Sequence, residues 1–394
     1  MSVTFPRGIA AAGVAAGLKS SGAPDVAVVL NTGAPTSRSA AAVFTTNRFA
    51  AAPVVWSRAA LEICRDAGGT PCAVVLNSGG ANACTGEPGA SDTALTAATL
   101  AGTLGLETAR QVLVCSTGLI GAPLRMDALL AGVGQAATNL TIDGGADAAR
   151  AIMTTDTRPK TAQAEADGYR IGGMAKGAGM LAPALATMLV VLTTDALLTS
   201  ADAQTALETA CAATFDRLDS DGCMSTNDTV ILLGSGASGV VPDLTAFTTA
   251  LTAVCHDLGQ QLIGDAEGAR HDMAITVRGA SDETAALAVA RAIGRSNLVK
   301  TAVFGEDPNW GRILAAAGTV SADVAPFAAD GVDVLVNGIR VCHGGAADQD
   351  RSLVDLSGRA VDITVDLGAG NAAATLYTND LTYDYVKENA EYSS

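Results

Sequence analysis

The run Lys176-Gly177-Ala178-Gly179-Met180-Leu181-Ala182-Pro183-Ala184-Leu185-Ala186-Thr187-Met188-Leu189-Val190-Val191-Leu192 joins a loop rich in glycine to a strongly apolar strand, with Thr187 at the junction. In an unbroken chain Thr187 is a hydroxyl without a neighbouring base. If the Ala186–Thr187 peptide bond is cut, the new α-amine stands beside the hydroxyl of the same residue. An α-amino group has a reference pKa of about 7.7–8.0, close to operating pH, which suits a general base. Pairing a threonine with its own amine is one way to activate a weak nucleophile. The residue can make the cut itself: its hydroxyl attacks the Ala186 carbonyl, an ester forms, and water opens it. Small Ala186 and the Gly177–Gly179 loop leave room for that geometry. The same residues also read as a threonine capping a buried strand, with Pro183 shaping the loop, and spacing alone leaves both readings open.

Outward from this junction the chain alternates strands and helices. Apolar runs predict strands at Asp25–Asn31, Ala41–Thr46, Cys72–Asn77, Gln111–Ser116, Met188–Asp195, Thr229–Gly234, Met273–Val277, Val332–Val336 and Val361–Leu367. Helical periodicity marks Asp92–Leu104, Asp202–Leu218, Leu244–Ile263 and Asp282–Ile293. Asp143-Gly-Gly-Ala-Asp147 and Ser200-Ala-Asp202 read as helix starts with acidic residues in the first turn. The fold class is therefore mixed α/β (α+β), and the 394 residues suffice for two or three lobes.

Composition narrows the functions available. Apolar residues reach 49%, much of it alanine, while aromatics are only 4%, so the chain packs through small side chains brought close together. A net charge of −16 argues against nucleic acid as a partner, because a phosphate backbone demands clustered Lys and Arg. No basic amphipathic membrane helix is present, and the longest apolar stretch, Gly179–Leu192, contains Pro183 and falls short of the ~20 residues of a bilayer span. The start, Met1-Ser-Val-Thr-Phe-Pro-Arg7, lacks the charged and apolar regions of a signal peptide. Eight cysteines are scattered without a Cys-x-x-Cys pair, which predicts reduced thiols in a cytoplasmic setting.

Other motifs are set aside. Gly13-Val-Ala-Ala-Gly17-Leu18-Lys19-Ser20 has the wrong spacing for a phosphate loop. Cys255-His256 and Cys342-His343 have no partners at metal-ligand spacing, so no metal is expected. Cys115 lies in an apolar strand without a nearby histidine and reads as a structural thiol.

The junction resembles the processing site of the ornithine acetyltransferases, also called glutamate N-acetyltransferases. The resemblance runs through Leu76-Asn-Ser-Gly-Gly-Ala-Asn-Ala-Cys-Thr-Gly86, Cys115-Ser-Thr-Gly-Leu-Ile-Gly121 and Ala151-Ile-Met-Thr-Thr-Asp156. It continues through Ser225-Thr-Asn-Asp-Thr229, Asp265-Ala-Glu-Gly268, Asp307-Pro-Asn-Trp-Gly-Arg312 and the tail Glu388-Asn-Ala-Glu-Tyr-Ser-Ser394. It implies an αββα sandwich of the ornithine acetyltransferase/DmpA-like type, self-cleaved into an α chain, residues 1–186, and a β chain, residues 187–394, that assemble as an α₂β₂ heterotetramer. It implies a ping-pong reaction without a resident cofactor: N-acetylornithine acetylates Thr187, ornithine leaves, and glutamate takes the acetyl group, within arginine biosynthesis. Some members also use acetyl-CoA as a co-substrate, and no residue pattern decides that point here.

By the same resemblance Thr117 and Gly118 form the oxyanion hole, and Thr154, Lys176, Thr187, Glu267, Asn389 and Ser394 contact substrate. Both substrates share an α-carboxylate but differ at the side-chain end, ammonium against carboxylate. Lys176 suits a carboxylate and Glu267 an ammonium. Ser225–Thr229 reads as a hydrogen-bonded turn supporting the site, and Asp307–Arg312 as structural. Rival readings are an N-terminal-threonine hydrolase that releases free acid, and an amino-acid-binding protein with an intact Ala186–Thr187 bond.

Overall fold

The computed structural model describes residues 2–180 and 188–391, so the expectations placed on Ala186, Thr187 and Ser394 lie outside the described residues. The chain divides into two units, residues 1–216 with 223–265, and residues 217–222 with 266–394.

The first unit contains, in chain order, β1 (Ile9–Val14), β2 (Val26–Asn31), β3 (Ser39–Phe44), α1 (Ala52–Asp66), β4 (Ala73–Asn77), α2 (Gly86–Leu104), β5 (Val112–Ser116), α3 (Met126–Thr138) and α4 (Gly145–Ala151). It continues with β6 (Lys160–Ala166), β7 (Tyr169–Lys176), β8 (Leu189–Thr194), α5 (Ser200–Ala213), β9 (Thr229–Gly234) and α6 (Leu244–Ile263). One sheet runs β1-β2-β4-β5, with β4 and β5 parallel; the other runs β3-β9-β8-β7-β6, with β9 and β8 parallel. Strands buried on both faces lose the polar alternation of a one-sided sheet, which is why β4, β5, β8 and β9 are legible as continuous apolar runs. The inner faces meet through Val29, Val74, Leu76 and Leu113 from the first sheet and Met174, Val191, Ile231 and Leu233 from the second. Helices α2 and α3 cover the outside of the first sheet with Leu100, Leu129 and Val133. Helices α5 and α6 lie on the second sheet, α5 against β3 and α6 against β6 and β7. The layers are thus α, β, β, α. Small residues permit the close spacing: a Cβ on Gly13 would fall 2.1 Å from the Asp147 carbonyl oxygen, so β1 and α4 touch backbone to backbone.

The second unit contains β10 (Asp272–Ala280), α7 (Glu283–Gly294), α8 (Asn297–Phe304), α9 (Trp310–Ala317), β11 (Asp333–Val336), β12 (Ile339–His343), β13 (Ala346–Ala347), β14 (Ala360–Asp366), β15 (Ala372–Asn379) and α10 (Tyr383–Glu391). Its sheet runs β13-β12-β11-β14-β10-β15 and packs Ile275, Val277, Ile363 and Leu376 against Val289, Ile293 and Ile313 of the helices. Asn309 caps α9 through its side chain, and Trp310 packs on this core, so Asp307–Arg312 is structural.

Several elements escape the sequence reading. Strand β1, Ile-Ala-Ala-Ala-Gly-Val, is half alanine, which fits either period, and helix α1 is likewise absent from the expected helices. Helix α2 begins at Gly86 rather than Asp92, because glycine and Pro88 in the first turn mimic a loop. Helix α5 stops at Ala213, short of the expected Leu218, where Thr214 leaves helical geometry at φ −131° and ψ −80°. All eight cysteines are free thiols. Among the described residues no helix is long and apolar enough to cross a membrane.

Candidate active site

The sheet arrangement decides which loops meet. Strands β7 and β8 are antiparallel neighbours with Lys176 opposite Leu189, so the strands before and after the stretch 177–188 are paired. The start of β8 is held from the parallel strand β9. Asp228 Oδ1 accepts the Met188 N–H at 2.8 Å, and the Thr229 N–H donates to the Met188 carbonyl at 3.2 Å. The Ser225–Thr229 block therefore does the supporting work expected of it. Burial pushes the Asp228 carboxyl well above the usual carboxylate range, although the Met188 N–H, the Ser225 hydroxyl and the Lys176 charge oppose that. Its Oδ2 has no hydrogen-bond partner among the described residues.

Parallel strands β4 and β5 end side by side, and their ends form the second loop cluster. The Ser116 hydroxyl donates to Asn77 Oδ1 at 2.6 Å, and Asn77 Nδ2 donates to the Gly80 carbonyl at 3.0 Å. Asn227 Nδ2 donates to the Ala81 carbonyl at 2.6 Å and the Ser116 carbonyl at 2.8 Å, tying this cluster to the Ser225–Thr229 turn. Thr117, 1% exposed, follows Ser116 directly. Its backbone N–H is taken by the Asn77 carbonyl at 2.9 Å, so among its donors it is the hydroxyl that can serve an oxyanion. Gly118 sits at φ +136°, a conformation closed to most side chains.

Lys176 links the two clusters. It is 2% exposed, and its Nζ donates to Thr117 Oγ1 at 3.2 Å. The structure thus brings together Thr117 and Lys176, residues 59 apart in sequence. Thr154 follows α4, and its N–H donates to Asp156 Oδ2 at 2.9 Å. Cys115, one strand position before Ser116, has its thiol pushed up to about 12 by burial, partly offset by Thr229, so it is no nucleophile near neutrality.

In the second unit Asn389 Nδ2 donates to Glu267 Oε2 at 3.0 Å, so these two expected contact residues are neighbours. Glu267 lines a cavity of about 290 Å³ with Asp221, Arg295, Lys300, Asn379 and Tyr385. Burial lowers the Lys300 ammonium to about 8, against the pull of Asp219, Asp221 and Asp380. Lys300 donates to the Ser220 carbonyl at 2.7 Å, to Thr378 Oγ1 at 2.9 Å and to the Asn379 carbonyl. Nothing in the sequence marks Lys300, which sits in an ordinary amphipathic stretch. Buried His271 is structural: it bonds Asp380 Oδ2 at 2.8 Å and the Leu356 carbonyl at 3.0 Å.

Comparison with known proteins supplies the relationship. The ArgJ family model matches residues 10–394. The arginine biosynthesis bifunctional protein ArgJ of Streptomyces coelicolor is 57% identical over 394 residues, covering 100% of both chains. That of Thermobifida fusca is 56% identical with the same full coverage. A solved ornithine acetyltransferase complexed with ornithine, from Mycobacterium tuberculosis, is 49% identical, covering 46% of this chain and 94% of that one at a TM-score of 0.41. With a family match across nearly its whole length and relatives alike from end to end, this chain belongs to the ArgJ family.

Proposed function

We propose that the chain moves the acetyl group of N-acetylornithine to glutamate through a Thr187 acetyl-enzyme, giving ornithine and N-acetylglutamate for arginine biosynthesis. The observation that carries the reading is the meeting of Lys176 with Thr117 at the strand pair flanking the Ala186–Thr187 bond. Family membership and the relatives' printed names support a place in arginine biosynthesis.

The chemistry follows from the groups present. After scission the Thr187 amine takes the proton of its own hydroxyl, and the oxygen attacks the acetyl carbonyl. The Thr117 hydroxyl, accepting from Lys176, turns its own proton toward the developing oxyanion, and the Gly118 N–H is the second donor. The tetrahedral intermediate collapses, the amine of ornithine leaves with the proton, and glutamate repeats the steps in reverse. Lys176 and Thr154 grip the α-carboxylate common to both substrates. Exchange of one amide for another is close to thermoneutral, so no nucleotide is consumed.

Scission is compatible with a stable product. Residues 1–186 contribute β3, β7 and β6 to the second sheet, and residues 187–394 contribute β8 and β9. The seams β3–β9 and β7–β8 are then intermolecular backbone ladders, and they hold the α and β chains together. Two such pairs form an α₂β₂ heterotetramer in the cytoplasm, a mass checked by light scattering. The relatives' description as bifunctional supports acetyl-CoA as a second donor. Formation of N-acetylglutamate from acetyl-CoA and glutamate by purified protein tests that.

The central experiment is Thr187→Ala with N-terminal sequencing of the parent protein. The parent should give two chains, one beginning at Thr187. The variant should run as one band and lose at least ~10⁴-fold in turnover. An active unbroken chain would refute the mechanism, and free acetate as the sole product would favour a hydrolase.

A further inference from the structure

Two carboxylates in the matched blocks have no part in the reaction above, Asp156 and Asp265. The fold closes both on one lysine. Lys160 Nζ, with no exposed side-chain surface, lies 2.5 Å from Asp156 Oδ1 and 2.6 Å from Asp265 Oδ2. The Thr157 N–H also donates to Asp265 Oδ2 at 3.0 Å, and its hydroxyl donates to Oδ1. A lysine buried this deeply stays charged only when paired and fully hydrogen-bonded.

Asp156 has further duties. Its Oδ1 also accepts the Gly177 N–H at 2.7 Å, and its Oδ2 accepts the Thr154 N–H at 2.9 Å. Gly177 follows Lys176 directly, so one carboxylate fixes the backbone at both residues that grip the α-carboxylate in the proposed reaction. Burial works against the charge on Asp156, but Lys176, Lys160 and the Gly177 N–H outweigh it and hold the carboxyl below its usual range. Two carboxylates and two ammonium groups balance in the cluster formed by Asp156, Asp265, Lys160 and Lys176.

We propose that Asp156 is a positioning residue for substrate binding, setting Thr154 and Lys176 relative to one another while Lys160 and Asp265 hold its carboxylate in place. The inference rests on the reading of Lys176 and Thr154 as carboxylate-binding groups. An amide cannot replace the carboxylate, because asparagine offers one accepting oxygen and would turn an NH₂ group toward a backbone N–H or the Lys160 ammonium.

The test compares Asp156→Asn with the triple variant Asp156→Asn/Lys160→Met/Asp265→Asn, which removes the buried lysine together with both of its carboxylate partners. Ornithine binding is measured by calorimetry on the full protein, beside KM, kcat and melting temperature. Asp156→Asn should melt lower and the triple variant should recover stability, yet both should bind ornithine on the order of 10- to 100-fold more weakly. KM for both substrates should rise by a similar factor, with kcat changed less. If the triple variant regains parental binding and KM, Asp156 is only a counter-ion for Lys160 and the proposal is overturned. Because binding is read without turnover, that result stands apart from the Thr187→Ala experiment: an inactive Thr187→Ala with parental binding in the triple variant sinks this inference and spares the reaction.

Discussion

Replacing Gly118 by alanine perturbs the oxyanion turn with the least change in chemistry. Gly118 holds φ +136°, and an added Cβ would stand 2.7 Å from the Gly80 nitrogen and 2.9 Å from the Gly80 Cα. Both are backbone atoms, and Gly80 is itself tied down by its N–H bond to the Thr117 carbonyl at 3.0 Å. No side chain can rotate aside, so the turn must move by about 0.7 Å to reach ordinary contact. Adopting the strained conformation costs roughly 1–3 kcal/mol, and the melting temperature should fall by several degrees. Catalysis should suffer more. A displacement approaching 1 Å costs on the order of 10²-fold, and loss of one oxyanion donor about 10²–10³-fold. Steady-state kinetics with N-acetylornithine and glutamate should therefore show kcat reduced ~10²-fold or more, with KM little changed. A folded Gly118→Ala protein with kcat within twofold of the parent would show that the turn merely ends a strand.

Asn227→Ala strips donors from the buried Ala81 and Ser116 carbonyls, at about 1–3 kcal/mol each, so it should lower the melting temperature and reduce kcat through the residue following Ser116. Unchanged thermal unfolding would refute that accounting. Asp228 has a pKa raised by burial, so its stabilising contribution is complete below the ordinary carboxylate range and is lost as pH rises through the folded-state value. Asp228→Asn, which cannot ionise, should gain melting temperature over the parent by an increment that grows with pH, and a pH-independent increment would contradict the assignment.

The legible parts of this protein were those written in contiguous residues. The apolar runs of β4, β5, β8 and β9 announced strands because each is buried along its length. Short polar blocks at their ends announced turns. The reading failed where alanine dominates, as in β1, because a residue that fits both periods carries no periodic signal.

By itself the sequence determined the α/β class and the apolar strand β8, since burial along one strand is a local property. Only the tertiary structure decided that Lys176 meets Thr117, that Asp228 holds Met188, and that Asp156 and Asp265 share Lys160. Apart from Asp156 and Lys160, four residues apart, those partners lie 40 to 105 residues from one another and become neighbours through strand order within two packed sheets. Pairing there is enforced because a buried charge or N–H without a partner costs several kcal/mol, and no sequence window records which partner the fold will supply.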